Sequence, residues 1–507
     1  MTHAGALWRD EVSAINLAIT PSIKGLWSSL QYDSFPIGYS LVLRLWSAPG
    51  WGGSDSVLRL LGLFVGISVL GAIWLAVWEV RRSPPLISLM LFGLNPLAIR
   101  MCDSIRPYGL GIFFVLLTFG LTWKVVEKPT FSRIFIAAVA AIFSVQCLYQ
   151  NAFLILAVCV AGIAVALRNG KWERSLLVTG IGLTAGLSLS PYLGIVKKAQ
   201  EWAVILRTSF GFEIILNRLS EALSSPSPLM LWVWAGFVVF GLSIATASLL
   251  RHSSRVSRSE NDVMTYSVIA MIVGVLGFFF FFQWAGVPPE PWYFLPPVGL
   301  AAICLDVILR GKTKWKVWRI AVCFLIFTLM ICPVLRKVQV RQTNIDFVAS
   351  RLQESAQEDD TILLMDWFLG ISFGRYYGGN TFWTTIPPLE DLRIHRYDLV
   401  KRKMVSSEPI RPLLFRVTET LQRGSSVWLV GTFPPVESDR RFTSLPPAPH
   451  SEHGWNIRPY LYAWKTEILY LIGSNASKVE LLSGPSEVST NPYENLPVVR
   501  VSGFKDR

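Results

Sequence analysis

Five short segments of this 507-residue chain carry the side chains that could do chemistry. The first is Trp8-Arg9-Asp10-Glu11, directly before the amphipathic stretch Val12 to Ile19. A carboxylate there could take a proton from a hydroxyl, while the plain reading of the spacing is a helix start, with Asp10 as cap and Glu11 in a first turn that favours negative charge. The second is Gln31 to Tyr39, in which Asp33 precedes the apolar stretch Ser40 to Trp46 and has the same cap reading. The third is Arg100 to Tyr108, where Arg100, Asp103 and Arg106 sit between two apolar runs and Pro107-Tyr108 opens the second. Arginines at such an edge are costly unless paired, so a ligand phosphate or a loop carboxylate is an expected partner; snorkelling explains them equally well. The fourth is Lys197-Lys198, placed for an anionic headgroup or for anchoring, and the fifth is the aromatic belt Pro291 to Pro296.

The elements that must position these groups are apolar helices. With 52% hydrophobic and 16% charged residues, 20 Trp and 30 Phe, the chain is too apolar for a water-soluble protein of this length. Runs fit to cross a bilayer occur at Leu60 to Trp78, Pro85 to Ile99, Pro107 to Trp123, Ile134 to Leu148, Ala152 to Leu167, Leu176 to Val196, Leu229 to Leu250, Val263 to Trp284, Tyr293 to Leu309 and Val317 to Leu335. Those beginning at Pro85 and Ile134 are the shortest, and need tilt or flanking residues to complete them. Alternate connections, namely Arg81-Arg82, Lys124 to Arg133, Arg168 to Arg174, Arg251 to Asp262 and Arg310 to Arg319, hold 16 Lys/Arg against 4 Asp/Glu, whereas the opposite set holds 9 of each. Because Lys and Arg resist translocation, this asymmetry predicts a bundle with both termini outside. Nothing before Leu60 reads as a first span, so either the first hairpin carries the short head across or a further helix precedes Met1; the second reading is preferred.

From Arg336 onward polar and apolar residues alternate among turn formers. The pattern predicts helices at Asn344 to Glu358 and Ile410 to Arg423, and strands at Thr361 to Asp366, Ser426 to Gly431, Glu467 to Ile472 and Lys478 to Leu482, with a Pro-rich connection from Phe433 to Pro449. The six cysteines all lie in or beside apolar segments, which argues against a disulfide framework. The net charge of +13 tracks the membrane rather than nucleic acid. Walker A, dinucleotide and nucleophile-elbow motifs are absent from the sequence.

In their order, Leu7-Trp8-Arg9-Asp10-Glu11, Tyr32-Asp33 through Pro36-Ile37-Gly38-Tyr39, Ser104-Ile105-Arg106-Pro107-Tyr108 and Tyr293-Phe294-Leu295-Pro296 resemble the GT-C superfamily of membrane glycosyltransferases, over about Gly5 to Leu335. The similarity is greatest to the bacterial branch related to protein O-mannosyltransferases and the lipid A aminoarabinose transferase. It implies a polyprenyl-phosphate sugar as donor, an inverting reaction on the external face, Asp10 as base with Glu11 beside it, and Asp33 orienting the acceptor or helping to hold a metal. It also implies a cation for the departing phosphate, best met by Arg106 with Tyr108, Arg100 and Lys197 as helpers. Three features depart from the family: its first helix is missing, Trp292 stands where relatives often carry Arg, and the external loops hold no histidine except His3. A His-containing metal site is therefore not supported there, and dependence on a divalent metal stays open.

The expectation is a polytopic α-helical membrane protein: a GT-C-like bundle of about ten spans, an eleventh preceding them, and a small C-terminal α/β domain. Residues 1–56 would form the first external loop, 57–335 the bundle, and 336–507 an extracytoplasmic domain, in a bacterial inner membrane. Expected partners are the lipid-linked donor, membrane lipids, and an envelope glycan, lipid or protein acceptor, with no nucleic acid. A transporter or flippase is the alternative, but charge is nearly absent from the deep spans and no inverted repeat is apparent. A non-catalytic scaffold would leave Asp10, Asp33 and Arg106 dispensable. The pair His450 and His453 reads as a loop, with metal binding the lesser interpretation.

Overall fold

A computed structural model describes residues 4–207, 210–250, 258–286, 288–310, 315–434, 445–483 and 488–505. Parts of two basic connections (251–257 and 311–314) and of the Pro-rich stretch (435–444), together with His3, lie outside the described residues. By their contacts the residues form two compact units.

One unit, Phe35–Gly194 with Ser209–Val338, is helical. Among the described residues of the chain, eight helices are long and apolar enough to cross a membrane: Asp55–Arg81, Tyr108–Glu127, Asn151–Arg168, Trp172–Leu206, Leu229–Ser248, Ser259–Ala285, Pro291–Ile308 and Val317–Val338. The chain is an integral membrane protein. The two weakest of the ten predicted spans differ from the rest for identifiable reasons. The run beginning at Pro85 is a pair of helices, Leu86–Gly93 and Pro96–Asp103, bent by 80°. Asn95 causes the break: its side chain accepts hydrogen bonds from the backbone N–H groups of Leu97 and Ala98, at 2.9 and 3.2 Å, and Pro96 follows at the first helical position. The run at Ile134 is the shorter helix Phe131–Cys147, started by the Thr130 cap.

Glycines allow the spans to touch backbone to backbone. A Cβ on Gly120 would stand 3.0 Å from Ala76 Cα, and one on Gly62 would collide with the carbonyl of Asp103. Helix Asp55–Arg81 thus lies tightly against both Tyr108–Glu127 and the end of the bent pair.

The other unit is assembled from three separated stretches, Met1–Ser34, Ile195–Thr208 and Gln339–Arg507. Its centre is a five-stranded sheet of order β2-β1-β3-β5-β4, with β1 Thr361–Leu364, β2 Phe382–Thr385, β3 Val427–Val430, β4 Ala476–Ser483 and β5 Val498–Phe504. β1 pairs in parallel with β2 and β3, whereas β5 runs antiparallel to β3 and β4. The inner strands β1 and β3 are buried on both faces. Ile362, Leu364, Trp428 and Val430 pack with Val348 and Phe373, while Leu363, Val427 and Leu429 pack with Val417, Tyr460 and Ile468. Helices therefore cover both sides, the arrangement that short, wholly apolar parallel strands require.

The expected small α/β domain is present, with one element reversed. Glu467 to Ile472 is not a strand but part of helix Ile457–Asn475, which Asn456 caps through the N–H of Arg458. A short apolar run fits either element by periodicity, and the cap decides between them.

Candidate functional site

Helix Arg9–Ala18 begins at Trp8, whose carbonyl accepts from Glu11 N–H at 2.9 Å while the Glu11 carboxylate accepts from Trp8 N–H at 3.2 Å. Glu11 is fully buried in this reciprocal cap. The first turn is thus closed without Asp10, contrary to the plain reading of the sequence in which Asp10 itself was the cap. The Asp10 side chain, about a quarter exposed at 24%, has one oxygen 3.1 Å from His395 Nε2.

Arg9 points the other way. Its Nη1 donates to Glu494 at 2.9 Å, the guanidinium lies 4.2 Å over the Phe368 ring, and its Nε stands 3.7 Å from the Asp10 carboxylate. Burial pulls the Arg9 pKa down, but Glu494 and Asp10 outweigh it and hold the group above its ordinary value. Burial pushes the carboxyl of Glu494 up, against the pull of Arg9. Leu7 N–H donates to the Tyr376 hydroxyl at 2.6 Å, so backbone and side chain moor the same turn.

His395 is held by its neighbours. It stacks on Tyr397 at 5.8 Å and 13°, and meets the Trp367 ring edge-on at 5.7 Å. The adjacent Arg396 is bound by Asp398 at 2.8 Å and Asp391 at 2.9 Å, and lies 4.9 Å from the Tyr32 ring, whose hydroxyl reaches Asp398 at 3.4 Å. Desolvation opposes ionisation of Asp391 and Asp398, yet the guanidinium of Arg393 for the first and of Arg396 for the second keep both carboxyls below the usual range. Asp33, beside Tyr32, is half-exposed and accepts from Ser34 N–H at 2.8 Å. Lys197 is exposed on helix Leu193–Ala203.

The remaining predicted residues belong to the helical unit. Arg106 and Tyr108 are buried where the bent pair gives way to helix Tyr108–Glu127. The Arg106 guanidinium lies 4.7 Å over the Phe35 ring, and Tyr108 meets the same ring edge-on at 5.6 Å. Tyr108 and Phe282 flank Tyr293 of the aromatic segment, at 6.2 and 6.3 Å. Arg100 is half-buried near the end of Pro96–Asp103.

Among the described residues, the group of three or more His, Cys, Asp or Glu with metal-ligand spacing is His450, Glu452 and His453, in a turn as expected. His450 Nδ1 accepts from the N–H groups of Glu452 and His453 at 3.1 and 3.3 Å. That places the neutral ring's proton on Nε2, the reverse of a metal-bound imidazole that donates its second N–H outward. All six cysteines are free.

These features define a class: a bundle of membrane helices with an α/β unit that carries an acidic helix start. No family model and no curated protein sequence matches the chain. The archaeal oligosaccharyltransferase AglB of Archaeoglobus fulgidus, in complex with an inhibitory peptide and a dolichol-phosphate, superposes with a TM-score of 0.51 at 11% identity, over 94% of this chain and 75% of that one. The oligosaccharyltransferase of the same organism in complex with Zn and sulfate gives 0.49 at 10% identity, over 95% and 76%. At 11% identity the first of these likenesses is one of fold.

Proposed function

We propose that this chain is a membrane glycosyltransferase that moves a sugar from a polyprenyl-phosphate donor to an acceptor on the external face of the membrane, with Asp10 as general base. The observation that carries the reading is the Asp10 carboxylate itself. It is released from capping by Glu11, partly exposed, and 3.1 Å from His395, in a chain whose fold is shared with an oligosaccharyltransferase.

The acceptor hydroxyl gives its proton to Asp10 as its oxygen forms the new bond to the anomeric carbon. The bond from that carbon to the phosphate oxygen breaks with its electron pair, polyprenyl phosphate leaves, and the anomeric centre inverts. Arg106 is the cation assigned to the phosphate, with Arg100 and Lys197 as helping cations and Tyr108 as a helping hydroxyl. Asp33 is assigned to orienting the acceptor. Glu11, fully buried in its cap, holds the helix start beside Asp10.

For a metal, Asp10 and His395 supply two ligand atoms in this unit, Glu11 turns away, and Arg9 stands 3.7 Å from the Asp10 carboxylate. A divalent ion, if bound, would be held by Asp10 with Asp33 and would supply further stabilisation of the departing phosphate; the steps above use the chain's own residues. The test is transfer from a panel of labelled polyprenyl-phosphate sugars in membranes carrying matched amounts of wild type, Asp10→Asn or Arg106→Ala. Loss of a general base costs roughly 10²- to 10⁴-fold in rate, and Asp10→Asn is expected in that range with donor binding intact. Transfer by Asp10→Asn at the wild-type rate removes the base assignment; no transfer by wild type from any donor removes the enzyme.

A further inference from the structure

The α/β unit contains a second concave feature, a cleft of about 610 Å³ lined by Asn16, Gly374, Arg375, Trp383, Thr384 and Glu390, with the loop through Arg393 as its wall. We infer that this cleft is the acceptor site and that the acceptor it takes is a saccharide, which deepens the proposed transferase and rests on it.

The lining is mixed in a particular way. Trp383, on edge strand β2, is half-exposed and fixed from behind, its ring meeting Phe373 edge-on at 5.2 Å, with Phe373 in turn stacked on Tyr377 at 4.8 Å. Facing it is Gly374, in the helix Leu369–Tyr376. A Cβ there would stand 3.5 Å from Cζ2 and Cη2 of the indole, an ordinary contact, so the space is not forced by packing. Glycine inside a helix costs about 1 kcal/mol relative to alanine. What the missing side chain leaves is an uncovered aromatic face.

Around that face stand an amide (Asn16), a hydroxyl (Thr384), a carboxylate (Glu390) and a guanidinium (Arg375). Asp391 is already ion-paired with Arg393 at 3.0 Å and Arg396 at 2.9 Å, which stiffens the wall before any ligand arrives. An apolar lipid chain would have to desolvate these groups without replacing their hydrogen bonds. A pyranose presents C–H groups on one face and hydroxyls around its rim, which suits one ring platform edged by planar polar groups.

The position fits as well. Asn16 lies six residues beyond Asp10 on the same helix, a rise of about 9 Å, and donates to the carbonyl of Arg393 at 2.7 Å. The cleft wall then continues two residues further to His395, the partner of Asp10.

The experiment is direct binding of two uncharged probes, maltotriose and chitotriose, to the full-length protein in detergent, followed by saturation-transfer NMR and calorimetry. Wild type and Asp10→Asn are expected to bind at least one probe equally. Gly374→Leu, which fills the cleft, and Glu390→Gln, an exposed change that leaves folding alone, are expected to weaken it at least tenfold and about threefold, with melting temperatures confirming that both variants are folded. Binding by neither probe, binding unaffected in folded Gly374→Leu, or displacement of the probe by a short unglycosylated peptide would each overturn the inference. Because binding is read without transfer, a bound saccharide in a protein that transfers nothing would retain the cleft and discard the enzyme.

Discussion

Removing Arg9 should do more damage than removing any exposed ion pair in the α/β unit, because it strands a charge. Glu494 is 0% exposed, and its carboxylate sits 2.9 Å from the Arg9 guanidinium. At that separation and an effective dielectric of ~20 the gross attraction is about 6 kcal/mol, most of it offsetting the desolvation of the two groups. Breaking such a pair from one side costs roughly 3–5 kcal/mol, since the remaining charge keeps its desolvation penalty and loses its partner. For a unit of this size that is a fall of roughly 6–20 °C in melting temperature. The double variant Arg9→Met with Glu494→Leu removes both charges and should return to within about 2 kcal/mol of wild type. The pH dependence has a fixed sign. Burial raises the Glu494 pKa, so the neutral acid is favoured in the folded state, and its contribution is present at low pH and lost as pH rises through the raised pKa. Without Arg9 that pKa climbs further, so the deficit of Arg9→Ala should shrink as pH falls from 7 towards 5. Thermal unfolding in detergent, with hydrogen exchange read on helix Arg9–Ala18, measures the single and the double variant. An Arg9→Ala protein as stable as Arg411→Ala, whose ion pair with Glu408 is exposed, would refute the reasoning.

Three further outcomes follow from the same structure. Asp398→Asn should cost about 1–2 kcal/mol at pH 7 by removing one of the two carboxylates that bind Arg396; because the Asp398 pKa is depressed, this stability is present above the ordinary carboxylate range and lost as pH falls through the lowered value, so the acid limb of the unfolding curve should flatten in the variant. Asn95→Ala removes a double helix cap and a donor to the Ala222 carbonyl at 2.8 Å, and should destabilise the helical unit by roughly 1–3 kcal/mol in denaturant titrations, with hydrogen exchange rising in Pro96–Asp103. Gly62→Ala drives a Cβ into the Asp103 carbonyl and should cost upwards of about 2 kcal/mol, whereas Gly71→Ala, with open space around it, should be neutral by the same assay.

Much of the helical unit was legible because lipid imposes a one-dimensional rule: enough apolar residues in a row make a span, whatever their partners. Among the described residues that rule located the eight long apolar helices, and it faltered where Asn95 and Pro96 bent one predicted span and where another stopped at 17 residues. The α/β unit was less legible. β2 has only four residues, β2 and β5 take their register from pairing with β1 and with β3 and β4 rather than from an alternation of their own, and Glu467 to Ile472 reads equally as strand or helix without its cap. Trp8 to Glu11 stood out from spacing, but spacing could not say which carboxylate would close the turn; that depended on Glu11 reaching back to Trp8. His395 carried no local signal at all. It lies 385 residues from Asp10, and only the fold of the unit makes the two neighbours.

The threefold origin of that unit also sets an order of events during synthesis. Residues 1–34 emerge before the spans, while the residue that secures Arg9 is made 485 positions after it. Loops of such length close at little extra entropic cost, but they cannot close before both ends exist. A chain cut short before Glu494 can fold its spans, yet it leaves Arg9, beside Asp10, without the buried carboxylate that holds it. The short turn Pro492–Glu494 therefore acts as a completion check: a chain that ends before it occupies the membrane with Arg9 left without its buried carboxylate.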